Sequence, residues 1–234
     1  MPKRSKRYVA LVEKVDRDRT YSLDEAIRLA KETASAKFDE TVEVHIKLGV
    51  DPAKGEQQVR GTVVLPHGIG KVPRVAVFAE GEAAKQALEA GADRVGAEDL
   101  VQDIENGWED FDILIAQPQL MRVVGRLGRK LGARMPSKKA GTITQDVADV
   151  VRQVKSGRVE FRIDRGGVIH APVGKVSFED AQLRENLLTL LDAILNARPP
   201  GVTGRYIRSI ALSSSMGPGI KVNVDEAVAA AQAV

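Results

Sequence analysis

Residues 74–100 read "RVAVFAEGEAAKQALEAGADRVGAEDL", and the pattern of this stretch decides the fold class. The apolar run "RVAVFA" predicts a buried strand, the segment from Glu82 to Ala90 predicts a helix, and "DRVG" predicts a second short strand. The alternation continues with a helix at "AEDLVQDIEN", a strand at "FDILIA", one long helix at "PQLMRVVGRLGRKLG" and a last helix from Gln145 to Lys155. Continuous apolar strands that alternate with helices predict a parallel sheet covered on both faces.

The chain on either side of this block follows another pattern. Apolar and polar residues alternate in "TVEVHIKLGV" (residues 41–50), which predicts a strand with one solvent-exposed face. A capping box at "SLDE" predicts a helix capped by Ser22. After Gly157 the alternation returns in "RVEFRID", and a helix is predicted to open at Ser177. The turn "GPG" (residues 217–219) predicts a hairpin, and the tail "DEAVAAAQAV" predicts a frayed helix.

These patterns predict a two-domain α/β protein. Residues 1–68 and 158–234 would form one discontinuous α+β domain, and residues 69–157 would form an α/β domain inserted in it. The alternative is three consecutive small units. The split arrangement is favoured because neither flank alone can bury both its helix and its strands.

Composition narrows the class of protein. The 234 residues include no cysteine, which excludes disulfides and thiolate metal sites and suits a reducing compartment. No apolar run is long enough to span a membrane, and the basic start lacks the apolar core of a signal peptide. We therefore expect a cytoplasmic protein without a membrane partner.

The usual marks of an enzyme are missing. "GIGK" (residues 68–71) fails the P-loop pattern, because no serine or threonine follows the lysine and the first glycine is absent. "GRLGRKLG" lies at the end of a predicted helix, where no dinucleotide fingerprint belongs. The histidines are isolated in sequence, so we expect no metal site, no cofactor and no catalytic residue. A nucleotide-binding enzyme built on the α/β block remains the alternative.

Between Asp112 and Asp146 the chain carries no acidic residue and several cations. A glycine-rich window of this kind predicts contact with a polyanion, and the alternative is an ordinary solvated face. The cations proposed to contact RNA are Arg126, Arg129, Lys130, Arg134, Lys138 and Lys139, and Arg122 lies in the same window.

Two further segments carry candidate RNA-binding groups. Phe38 stands beside Lys37 just before the alternating strand, where it would be either an apolar plug under the helix or a platform for a sugar or base. "SSSMG" (residues 213–217) offers short hydroxyl donors and close backbone approach, and the alternative is an ordinary strand end.

Several long blocks resemble the bacterial ribosomal protein L-one family: "KRYVALVEKVD", "AKFDETVEVHIKLGVDP", "VRGTVVLPHGIGK", "GRVEFRIDRGGVIHAPVGKVSF" and "SSSMGPGIKV". The resemblance covers nearly the whole chain in the expected order. It implies a split RNA-binding domain with an inserted Rossmann-like domain. It also implies binding to a helical junction of large-subunit rRNA in the mobile stalk beside the tRNA exit site, help in releasing deacylated E-site tRNA, and repression of the protein's own operon mRNA.

The same resemblance implies a monomer when free and further contacts with other ribosomal components. One departure is the loop "GARMPSKKAGT" (residues 132–142), which is shorter and less proline-rich than the family pattern, so it keeps its cations and loses some rigidity. The RNA face that the resemblance implies consists of Lys37, Phe38, Thr41, Glu43, Ser213, Ser215, Met216 and Gly217.

Overall fold

The computed structural model describes residues 5–138 and 140–233, and these form two compact units. The first unit contains the described residues up to Gly70 and those from Val159 onward, and the second runs from Lys71 to Arg158. The strands are β1 (Thr41–Leu48), β2 (Arg60–Val64), β3 (Val75–Phe78), β4 (Arg94–Gly96), β5 (Ile113–Ala116), β6 (Arg158–Arg162), β7 (Val168–Lys175), β8 (Ile207–Ser214) and β9 (Ile220–Val222). The helices are α1 (Lys6–Val12), α2 (Leu23–Glu32), α3 (Gly81–Glu89), α4 (Glu98–Glu105), α5 (Met121–Val124), α6 (Gly128–Leu131), α7 (Val147–Lys155), α8 (Asp180–Asn196) and α9 (Val224–Ala231).

The first unit is built on an antiparallel sheet with the strand order β7-β1-β8-β9. The alternation predicted for β1 is confirmed, since every second residue from Val42 to Leu48 is at most 1% exposed and the residues between them are half-buried. The buried face joins one hydrophobic cluster with the apolar sides of α2 and α8. The polar residues of β1 lie on the opposite face of the sheet, outside this cluster. A separate two-stranded sheet pairs β2 with β6.

Strand β7 was not predicted from the sequence. Its stretch "VIHAPVGK" contains Pro172 and Gly174, which usually argue against a strand. The structure accommodates both because β7 lies at the edge of the sheet and its register against β1 shifts between Val42 and Glu43. Proline is tolerated at such edges and bulges, where a missing N–H breaks no ladder bond.

Helix ends in the first unit differ from the prediction in two places. Helix α8 begins at Asp180 with Glu179 as its cap, whereas Ser177 was predicted to open it; the Ser177 hydroxyl instead donates to Asp39 Oδ2 at 2.7 Å. The described part of the tail is not frayed, because Asn223 caps α9 and Ala227 is fully buried in the core. The capping box at the start of α2 is confirmed.

The second unit contains a three-stranded parallel sheet, β4-β3-β5, as predicted. Val75 and Val77 of β3 pack with α3 and α7, whereas Ala76 and Phe78 pack with α4 and the segment that follows β5. All residues of β3 are buried, so the sheet is covered on both faces. Helix α7 begins at Val147 rather than Gln145 and carries the predicted valine stripe.

The segment after β5 is not the single long helix that was predicted. Pieces of α-helix and 3₁₀-helix follow one another from Pro118 to Arg134. Gly125 and Gly128 each cap one piece and begin the next. Glycine gains no side-chain packing and loses much backbone entropy in a helix, so this sequence does not hold one continuous hydrogen-bond pattern. No helix among the described residues is long and apolar enough to cross a membrane.

Candidate nucleic-acid interface

The polar face of β1 presents Thr41, Glu43, His45 and Lys47. The neighbouring strand β8 places Ser213 directly opposite Glu43 in the antiparallel register. These residues come from the two chain segments in which the sequence placed candidate RNA-binding groups. The fold therefore brings the two segments into one sheet.

Hydrogen bonds join the start of β1 to the turn after β8. The Thr41 N–H donates to Ser215 Oγ at 3.0 Å, and the Met216 N–H donates to Glu40 Oε2 at 2.9 Å. The other carboxylate oxygen of Glu40 accepts from the Ala36 N–H at 2.7 Å. Glu40 is 1% exposed, so it is a buried clamp between the segments. We call residues 36–41 and 213–217 together the ledge.

The ledge exposes two large apolar side chains. Phe38 is 59% exposed and Met216 is 47% exposed. The interpretation of Phe38 as a plug under the helix is therefore wrong. Its neighbour Lys37 is also exposed. An exposed ring next to a cation in the chain, with an exposed thioether on the same ledge, is chemically suited to the faces of sugars and bases.

Gly217 allows the turn to close against the sheet. A Cβ at this position would lie 2.5 Å from the hydroxyl oxygen of Ser214 and 3.3 Å from that of Thr33. Both of these residues are buried, so neither hydroxyl can move freely away. The Gly217 N–H donates to the Ser214 carbonyl at 3.1 Å, which holds Met216 at the tip of the turn.

The hydroxyls of the ledge are oriented by neighbours that the sequence did not reveal. Lys175 Nζ donates to Thr41 Oγ1 at 2.9 Å, and the Ser213 hydroxyl lies 2.9 Å from His45 Nε2. Ser215 is exposed, and its Oγ lies 3.4 Å from the Thr41 carbonyl oxygen. Glu40 and Lys175 were missed because their partners lie far away in sequence.

The pKa of Glu40 is lowered in the folded protein. Burial raises it, but the N–H donors of Ala36 and Met216 and the nearby Ser214 hydroxyl outweigh burial. Because its pKa is lower in the folded state, Glu40 makes its full contribution to the free energy of unfolding at pH values above its ordinary pKa of about 4.3. That stability is lost as the pH falls through the folded-state pKa.

We expect Glu40→Gln to lower the free energy of unfolding by about 1–3 kcal/mol at pH 7, because the amide NH₂ must face one of the two N–H donors. The difference from wild type should shrink below the folded-state pKa, where the native side chain is also neutral. Urea unfolding at pH 7 and pH 3 measures this, with the exposed Glu32→Gln as control. An equal difference at both pH values would contradict the clamp.

The cations of the second unit fall into two groups. Lys130 Nζ donates to the carbonyls of Ile104 and Glu105 at the end of α4, and Arg134 pairs with Glu109 at 3.0 Å. These two side chains therefore have structural partners. Lys139 lies outside the described residues. Between Asp112 and Asp146, the exposed cations with no partner among the described residues are Arg122, Arg126, Arg129 and Lys138.

Residues 30–218 match a family model described as the Ribosomal protein L1p/L10e family. The matched range includes both segments of the ledge and the whole second unit. Among the described residues, no group of three or more histidine, aspartate or glutamate side chains could hold a metal ion.

Proposed function

The chain belongs to the ribosomal protein L1p/L10e family, and from that premise we propose that it binds a helical junction of large-subunit rRNA through the ledge. Membership makes the chain a structural, non-enzymatic protein of the large ribosomal subunit that binds rRNA in the cytoplasm. The alternative of a nucleotide-binding enzyme is thereby set aside. The proposal goes beyond family membership by naming the ledge as the surface that binds the RNA.

The observation that carries the proposal is the pairing of exposed apolar groups with fixed polar ones on the ledge. Phe38 and Met216 would cover sugars and bases, while Thr41 and Ser215, which are hydrogen-bonded to each other at the strand ends, supply hydroxyls on the same ledge. RNA helices display 2′-hydroxyls in a shallow minor groove, and such short polar groups reach them without long flexible side chains. Apolar cover excludes water and strengthens the bonds beneath it.

Three further ledge residues, and Glu43 next to the ledge in β1, have complementary roles in this proposal. Glu43 supplies an acceptor for a 2′-hydroxyl or a base amino group, and Ser213 stands opposite it in the sheet. Lys37 supplies a phosphate contact. Gly217 lets the turn close against the sheet, and this would fix the position in which Met216 meets the RNA.

We further propose the finer assignments that the family resemblance suggests. The bound junction lies in the mobile stalk beside the E site, the protein assists release of deacylated tRNA, and it represses its own operon mRNA through a mimic of the rRNA site. A single RNA-binding surface supports the last assignment, because the same contacts on the ledge would bind both the rRNA site and its mimic in the mRNA.

The test is to identify the RNA that the protein holds in its cells. The protein is crosslinked to RNA in growing cells and purified, and the crosslinked RNA is sequenced. We expect one large-subunit rRNA junction to dominate, with a second peak in an mRNA that encodes this protein. Crosslinks spread evenly over rRNA would contradict ledge-based recognition, and a missing mRNA peak would remove only the repressor role.

We also propose that the first unit folds and binds RNA by itself. A protein that joins residues 1–68 to 158–234 through a short glycine-serine linker is expected to unfold cooperatively and to bind the identified rRNA fragment. Its hydrophobic cluster draws on α2 and α8 from the two chain segments, and so needs both. Residues 69–157 alone serve as the control. A folded first unit without specific RNA binding would contradict the assignment of the ledge.

Exposed cations of the second unit are expected to add non-specific phosphate contacts. Replacing Arg126, Arg129 and Lys138 together by glutamine should flatten the dependence of log K on log salt by about 0.7–0.9 per lost contact. Lys130→Gln is the control, because that side chain already binds carbonyls of α4. The measurement is filter binding to the full rRNA fragment between 50 and 300 mM salt. A slope unchanged in the triple variant would mean that this face contacts no RNA.

A further inference from the structure

Two histidines meet on the polar face of the first unit's sheet. His45 of β1 and His170 of β7 stand directly opposite each other in the antiparallel register. Their Nδ1 atoms are 2.8 Å apart, and the ring centroids are 5.0 Å apart at an interplanar angle of 62°. His170 is exposed and His45 is half-buried, so an ion from solvent can reach both rings.

The outer nitrogen of each ring has a partner that orients it. His170 Nε2 lies 3.4 Å from Asp164 Oδ2, and His45 Nε2 lies 2.9 Å from Ser213 Oγ. An ionised Asp164 carboxylate can only accept a hydrogen bond, so this contact favours the His170 tautomer that carries its proton on Nε2 and turns an Nδ1 lone pair toward His45.

Ser213 allows His45 to take either tautomer. When the hydroxyl donates to Nε2, His45 holds its proton on Nδ1 and donates it to His170. When the hydroxyl accepts from an Nε2–H, the two Nδ1 lone pairs converge on one point. The second arrangement has two imidazole ligands, each with an oriented outer partner, as at protein metal sites.

We propose that His45 and His170 form a two-histidine chelate for a borderline divalent metal ion such as Zn²⁺, with Asp164 and Ser213 as positioning residues. Zn–N bonds of about 2.0–2.1 Å require the nitrogens to stand roughly 3.3 Å apart in a tetrahedral site, which small ring rotations from 2.8 Å achieve. Water fills the other positions, since no described group of three or more ligating acidic or histidine side chains is present.

Charges around the pair permit a dication. Glu43 and Lys47 flank His45 on the same face of β1, and Asp164 faces His170. Lys47 Nζ donates to the Gly166 carbonyl. Burial, and after it His170, lowers the pKa of His45, with Glu43 opposing them. Where His45 starts with its proton on Nδ1, binding shifts that proton to Nε2 and releases none.

The experiment is calorimetric titration of untagged, RNA-free full-length protein with ZnCl₂ at pH 7.5. We expect one Zn²⁺ per chain, with affinity reduced at least tenfold in His45→Gln and equally in His170→Gln, because a two-ligand chelate needs both rings. Asp164→Asn should lower the affinity by about tenfold, as expected for an orienting partner. His67→Gln is the control, since His67 pairs with Glu185 elsewhere in the same unit.

A measurement on the wild type keeps the test independent of the variants. Long-range ¹H–¹⁵N spectra of the histidine rings should show Nδ1 of both His45 and His170 shifting on addition of Zn²⁺. Absence of saturable binding would leave a shared proton as the only occupant and overturn the proposal. Equal loss of affinity in His67→Gln would overturn it as well.

Discussion

Replacing Phe38 with alanine is expected to weaken binding of the identified rRNA junction by about 1.5–4.5 kcal/mol. Loss of aromatic stacking costs about 1–3 kcal/mol per base. Exposure of the neighbouring hydrogen bonds at Thr41 to water adds about 0.5–1.5 kcal/mol. Because Phe38 is 59% exposed in the free protein, the free energy of unfolding should change little. Met216→Ala should weaken binding in the same direction.

The controls separate recognition from stability and charge. Val64→Ala removes another exposed apolar side chain of the first unit, from β2, and should leave RNA affinity unchanged. Phe38→Ala carries no charge change, so its salt dependence should match that of wild type. Affinity is measured with the rRNA fragment and with an unrelated duplex, and stability by urea unfolding. A Phe38→Ala protein that is destabilised yet binds at wild-type strength would refute the ledge.

Gly217→Ala is expected to lower the free energy of unfolding by about 1–3 kcal/mol, the usual cost of overpacking a closed site. The new Cβ would lie 2.5 Å from the buried Ser214 hydroxyl oxygen, so the turn or the strand end must shift. The shift would also move Met216 and lower RNA affinity. Urea unfolding and RNA binding on the same variant measure the two effects.

Gly219 provides a matched control for Gly217, and Ser214→Ala provides a test of whether stability can be rescued. Gly219 lies in the same turn region with no atom within 4 Å of its added Cβ, so Gly219→Ala should leave stability nearly unchanged. The double variant Ser214→Ala, Gly217→Ala lacks the clashing oxygen. Adding Gly217→Ala to the Ser214→Ala protein should therefore cost much less stability than adding it to the wild type. Strictly additive losses would mean that the contact with Ser214 does not set the requirement for glycine.

Local patterns predicted those elements of the fold whose packing follows a simple period. The alternation in β1 and the valine stripe of α7 each place apolar residues on one face, and the structure buries those faces. Strand β7 was hidden because its proline and glycine are acceptable only at a bulged edge, which the sequence does not show. The segment from Pro118 to Arg134 was wrongly predicted as one helix. The helical spacing of its apolar residues does not show that glycines interrupt the hydrogen-bond pattern and divide it into short α-helical and 3₁₀-helical pieces.

The site was predicted only in part, because exposure and long-range partners are not local properties. Phe38 fitted a plug and a platform equally well in sequence, and only the structure shows its ring to be exposed. Glu40 reads as one more acidic residue beside a strand, although it binds the N–H of Met216. The histidines looked isolated until β1 and β7 placed His45 opposite His170.

The ledge has a consequence for the order of events during synthesis. Thr41 and Ser215 are bonded to each other although 174 positions separate them along the chain. At about 5–20 residues per second, a ribosome adds the second partner roughly 9–35 s after the first. Until then the nascent chain has the Phe38 half of the ledge without the Met216 half. A chain that terminates early therefore never acquires the complete surface, and under the proposed repression only finished protein molecules would silence their own message.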